Sequence, residues 1–142
     1  MPADTPTLSI TFRSDLNLLI ARWLRDVSKS ELQQGYTEVL QAAIRHQAGN
    51  WLIDSRRRSQ SNAEMVDWLA QEYLPELSPA LNNRPVHLAC LVAATWQPGT
   101  TPATPLAVLA QSSTLAAKNE YQVQLFSDEG AATSWLQQTA NR

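Results

Sequence analysis

One segment holds the chain's only basic cluster, set between an acid and several serines: Asp54-Ser55-Arg56-Arg57-Arg58-Ser59, followed by Gln60, Ser61, Asn62, Ala63 and Glu64. An acid at the end of a short apolar run can act as a general base or a metal ligand. More often such an acid accepts hydrogen bonds from the loop behind it or pairs with arginine, and that is the use expected of Asp54. Three adjacent arginines suit a phosphate or carboxylate, because each guanidinium presents a planar fork of donors. The free amides of a helix starting near Asn62 would add to that attraction. The plainer alternative is a solvated loop whose arginines pair with Asp54 or Glu64. The candidate partner- or anion-binding set is therefore Ser55, Arg56, Arg57 and Arg58. Ser55 and Ser59 are candidate phosphorylation positions, while Ser61 is better explained as a helix cap.

Other chemistries find less support. No Gly-x-Ser-x-Gly elbow occurs, and the chain's 4 scattered glycines build no phosphate loop. His46 and His87 fall on different elements without a neighbouring ligand at metal spacing, so no metal site and no cofactor are expected. The single Cys90 excludes an intrachain disulfide and lies in an apolar run, where a small buried hydrophobe is its expected role. The reading is non-enzymatic.

The elements that must position this segment follow from periodicity. Residues 1–6 are small and polar with two prolines, a loose end. Leu8, Ile10 and Phe12 alternate with polar residues as a half-buried strand, and the run Leu18 to Leu24 reads as its hairpin partner across Ser14-Asp15. Ser28-Lys29-Ser30-Glu31 has capping-box spacing. Behind it Leu32, Tyr36, Val39, Leu40, Ala43 and Ile44 share one helical face, and Gly49 is the expected stop.

Trp51-Leu52-Ile53 is a continuous apolar run, as for a central strand covered on both faces. Ser61 to Glu64 repeats the capping-box pattern ahead of Met65, Trp68, Leu69 and Tyr73, with Pro75 limiting that helix and residues 77–81 adding a turn. A second apolar strand covers Val86 to Val92. Residues 94–105 hold three prolines and a glycine among threonines and read as a flexible loop. Residues 106–118 read as a helix, Tyr121, Val123 and Leu125 as a last strand, and Ser127 or Asp128 as the cap of a terminal helix carrying Ala131, Ala132, Trp135 and Leu136. The expected order is β-β-α-β-α-β-α-β-α in one domain over residues 1–142. That order implies a mostly parallel sheet with an N-terminal antiparallel hairpin.

Composition bounds the partners. The chain has 142 residues, 44% of them hydrophobic and 17% charged, with net charge −2. An apolar share this high argues for an ordered core, and the balanced charge argues against nucleic acid held by phosphate neutralisation. No run reaches membrane-spanning length and no leader pattern opens the chain, so a cytoplasmic location is expected. High apolar content for the available charge makes a homodimer plausible. Of the 5 tryptophans, Trp51 and Trp68 fit core positions, and Trp96, in the proline-rich loop, serves either packing or an interface.

The hairpin ending Ala21-Arg22-Trp23, the helix ending at Gly49, the segment Trp51-Leu52-Ile53-Asp54-Ser55-Arg56 and the ending Tyr121 to Leu136 together resemble the uncharacterised bacterial SpoIIAA-like proteins of the STAS-domain family. The CRAL-TRIO lipid-binding class is related in fold. The resemblance implies a single STAS-like α/β domain acting as a regulatory protein-interaction module through loop 55–61. In the antagonist branch that loop carries a phosphorylated serine or threonine in an Asp-Ser-Ser-Gly setting. Here Asp54-Ser55 is followed by Arg56 instead. The CRAL-TRIO likeness implies the alternative, a pocket for a small apolar or acyl ligand with the arginines on an acidic head group.

Overall fold

A computed structural model describes residues 7–57, 64–82, 84–93 and 121–140. Arg58, Ser59, Ser61 and Trp96, the loop expected at 94–105 and the helix expected at 106–118 lie outside the described residues. Strands β1 (Leu8–Arg13), β2 (Leu18–Trp23), β3 (Asn50–Asp54), β4 (Val86–Leu91) and β5 (Tyr121–Phe126) form one sheet in the order β1-β2-β3-β4-β5. β1 and β2 are antiparallel, and β2, β3, β4 and β5 are mutually parallel. The helices are α1 (Lys29–His46), α2 (Glu64–Trp68), α3 (Leu74–Ala80) and α4 (Glu129–Ala140), with a π-helical turn, Leu69–Tyr73, joining α2 to α3. The described chain is therefore α/β, with an antiparallel hairpin leading into parallel strands.

Strand parity divides the core in two. Leu19, Ala21 and Trp23 of β2, Trp51 and Ile53 of β3, and Val86, Leu88 and Cys90 of β4 join α1 and the α2–α3 segment in the larger cluster. Leu18, Leu52, Ala89 and Leu91 point the other way and meet Ala132 and Leu136 of α4. Burial on both faces explains why β3 is apolar without alternation. At its carboxyl end this leaves one charged residue, Asp54, on the α4 face, the same face as Leu52.

α1 starts as the capping box requires: the Glu31 amide donates to Ser28 Oγ at 3.2 Å and the Ser28 amide to Glu31 Oε1 at 2.8 Å. Its buried stripe includes Gly35 and Ala42 besides Leu32, Tyr36, Val39 and Ala43, and Ile44 is left 42% exposed. At 3.6 residues per turn Ile44 lies roughly 120° around from Leu32. The stripe is turned away from Ile44 toward Gly35, where the missing side chain admits the Trp23 ring: a Cβ there would overlap Trp23, with Cζ3 at 3.0 Å, and approach Leu8 Cδ2 at 3.3 Å.

The helix ends at His46 and is capped at Gln47, two residues before the expected Gly49. Gln47 takes the left-handed conformation (φ 51°, ψ 46°), and the Ala48 amide donates to the Ala43 carbonyl at 2.9 Å. A non-glycine residue is held there by tertiary contacts, because Gln47 Oε1 accepts from Asn82 Nδ2 at 2.8 Å and the Gln47 carbonyl accepts from Arg84 at 3.3 Å.

Pro75 does not terminate the helix that precedes it. The Leu74 amide donates to the Leu69 carbonyl, five residues back, and Pro75 enters as one of the first residues of α3. A proline ring collides with the carbonyl four residues earlier in a regular α-helix, and the wider turn relieves that collision. Tyr73, within the wide turn, donates its hydroxyl to the Tyr36 carbonyl at 2.6 Å and so ties the segment to α1. Burial pushes the Tyr73 hydroxyl pKa well up.

Candidate functional site

Ligands in open α/β sheets meet the fold beyond the carboxyl ends of parallel strands. There the register pairs Arg22, one residue before the end of β2, with Asp54, the last of β3. Arg22 shares the α4 face with Leu18 and Ile20, so both charged side chains point toward the start of α4. Arg22 Nη1 donates to Asp54 Oδ2 at 2.7 Å and to Glu129 Oε1 at 3.0 Å, and Nη2 donates to Glu129 Oε2 at 3.1 Å.

Arg56 approaches from the loop. Its Nε donates to Asp54 Oδ1 at 3.0 Å, its Nη2 to Asp54 Oδ2 at 2.9 Å and to Glu129 Oε1 at 3.1 Å, and its amide to Asp54 Oδ1 at 3.1 Å. Two arginines and two carboxylates thus close a charge-neutral network across β2, β3 and α4. Asp54 is its inner member, with a side chain 7% exposed, whereas Glu129 is 40% exposed.

Burial pushes the Asp54 carboxyl pKa up, but hydrogen bonds from the Arg56 side chain and amide and from Arg22 outweigh it and hold the group below the usual carboxylate value. Glu129 is lowered chiefly by its hydrogen bond from Arg22, against a smaller opposing effect of burial. Arg22 is raised first by Glu129, and Arg56 first by Asp54. Each member favours the charged form of the next.

A cleft of about 540 Å³ opens over the network, lined by its four residues together with Trp23, Leu24 and Arg57. Arg57 is exposed and, among the described residues, has no ion-pair or hydrogen-bond partner. The candidates separated in sequence analysis thus have different situations. Arg56 is committed to Asp54 and Glu129, and Arg57 is a free cation in the cleft. Ser55 is 3% exposed: its amide donates to the Leu91 carbonyl at 2.8 Å, and its buried Oγ has no hydrogen-bond partner among the described residues. A kinase or an anion reaches that hydroxyl only if the segment opens.

Arg22 and Glu129 do not stand out in the sequence. The available signal for Arg22 is a lone charge in the apolar strand Leu18–Trp23, on a face whose other members are Leu18 and Ile20. Glu129 reads as an ordinary first-turn acid, well explained by the helix dipole. A second, smaller cavity of about 300 Å³ lies between the hairpin and α1, with Ile10, Phe12 and Leu19 set against Glu38, Arg45 and His46. There the His46 ring stacks on Phe12 at 4.2 Å between centroids. Among the described residues, no helix is long and apolar enough to cross a membrane. Comparison with protein-family models, curated proteins and solved structures gave no match.

Proposed function

We propose that the chain is a non-catalytic, STAS-like regulatory module that docks an acidic group of a protein partner in the cleft above the Arg22–Asp54–Arg56–Glu129 network. The observation that carries this reading is Arg57, an exposed arginine without a partner among the described residues, beside four charges that neutralise one another. The network forms the floor of the cleft, and a docking group meets it with one cation to spare among the described residues. Loop 55–61 then contributes Arg57 directly and Arg56 through Glu129, which it shares with Arg22, and Arg58 and Ser59 follow in sequence. The hairpin-first order of the strands supports the STAS-like assignment. A cytoplasmic homodimer accords with the composition.

The test compares proteins retained from cell extract by the wild-type chain and by Arg57→Glu. A partner retained by the first and lost by the second supports docking in the cleft, and identical retained sets refute it. A second reading, a carrier of a small apolar or acyl ligand, would set Ile10, Phe12 and Leu19 against the ligand's tail and Arg45 against an acidic head group in the cavity between the hairpin and α1. Native mass spectrometry of purified protein separates the two by the presence or absence of a co-purified ligand. Light scattering at micromolar concentration tests the dimer.

A further inference from the structure

Glu129 occupies its position in a way that Asp54 does not. The Asp54 carboxylate is closed in, whereas the Glu129 carboxylate sits in a solvent-open cleft and is gripped by both nitrogens of the Arg22 fork and by Arg56. That is the geometry with which arginines receive a carboxylate or phosphate ligand. The start of α4 does not depend on this side chain. Asp128 Oδ2 accepts from the Ala131 amide at 2.8 Å and the Asp128 carbonyl accepts from the Ala132 amide at 3.1 Å, so Glu129 can swing outward with the cap intact. We infer that Glu129 is a built-in pseudo-ligand covering an oxyanion receptor made of Arg22, Arg56 and Arg57, and that a phosphomonoester dianion displaces it. This inference rests on the cleft being a docking site and specifies what docks there.

Charge selects the dianion over a second carboxylate. Among the described residues, those lining the cleft comprise three arginines and two acids, one positive charge in excess. With Glu129 swung out the excess becomes two. A phosphate ester carries about −1.5 to −2 at pH 7 and matches it, while a carboxylate merely replaces Glu129 like for like. Arg57 is the cation that Glu129 leaves unused, so it favours the incoming group over the resident one.

The experiment titrates the purified full chain with inorganic phosphate at fixed ionic strength, followed by calorimetry and phosphorus NMR. Glu129→Gln is expected to bind phosphate about tenfold tighter than wild type, and Arg57→Ala about tenfold weaker, the size of one charge-assisted contact. Circular dichroism confirms folding; should Glu129→Gln fail to fold, Glu129→Asp, one methylene short of the arginines, carries the same expectation of tighter binding. Binding by the Glu129 variant no tighter than wild type, or unaffected by Arg57→Ala, overturns the inference. A phosphoserine peptide run in parallel locates the source. Preference for it over inorganic phosphate assigns a partner's modified side chain, and equal affinity assigns a free phosphate ester; both retain the receptor. The titration needs no partner, so its failure leaves partner retention standing, and identical retained sets with intact phosphate binding remove only the partner reading.

Discussion

Replacing Asp54 by alanine is the sharpest test of what holds the carboxyl ends of β2 and β3 to α4. The change deletes one hydrogen bond from Arg22 and three from Arg56, including the amide that fixes the first residues of the loop. Removing one partner of a fully buried ion pair costs about 3–5 kcal/mol, because the other charge is stranded. Here the stranded arginines have side chains 33% and 43% exposed and keep Glu129, so both rehydrate in part. The expected loss is therefore lower, about 2–3 kcal/mol. For a chain of 142 residues that corresponds to a fall in Tm of roughly 6–12 °C.

Asp54→Asn keeps the shape and an acceptor for the Arg56 amide, so about half the loss is expected of it. The measurement is urea unfolding followed by tryptophan fluorescence, with a double-mutant cycle against Arg22→Met. A coupling of about 1 kcal/mol or more between the two positions is expected of groups in one network. An Asp54→Ala loss below about 0.5 kcal/mol, the range of an ordinary surface change, would refute the network as a structural tie. So would strict additivity with Arg22→Met.

Three further outcomes follow from the same structure. Asp54 and Glu129 both have folded-state pKa values below their unfolded ones, so their contribution is present above the unfolded values and lost as pH falls through the folded ones. The stability gap between wild type and the Asp54→Asn, Glu129→Gln double variant should therefore be constant at neutral pH and shrink below about pH 4.5; a gap that widens on acidification contradicts the assignment. Gly35→Ala should destabilise by about 1 kcal/mol, since overpacking against Trp23 (about 1–3 kcal/mol) exceeds the helix-propensity gain of about 1 kcal/mol. Trp23→Phe should recover part of that loss. Ser55→Ala should be neutral or stabilising by up to about 1 kcal/mol, because it removes a buried hydroxyl without a partner among the described residues; a clear loss in urea unfolding would show that the hydroxyl is satisfied in solution.

Much of the backbone was legible because its signals are local. The Ser28–Glu31 box, the stripe through Leu32, Tyr36 and Val39, and the unbroken apolar run of β3 are each read within one turn or one strand, and each element lies where the periodicity puts it. The left-handed Gln47 and the uninterrupted passage through Pro75 were not legible. One depends on Asn82 and Arg84 arriving from elsewhere, and the other on a widened turn that packs Tyr73 against Tyr36. The exposure of Ile44 follows from how closely α1 can approach Trp23, which is a property of two elements together.

The sequence by itself determined that Asp54 ends a buried strand and is followed by arginines in a chain otherwise sparing of charge. Only the tertiary structure decided which arginine the acid takes, and which is left over. Arg22 and Glu129 lie 32 residues before and 75 residues after Asp54, and they meet it because the parallel register sets Arg22 beside it and α4 begins above the same sheet face. Register and helix placement are fixed by burial of side chains across the whole sheet. No window of sequence around residue 54 contains that information.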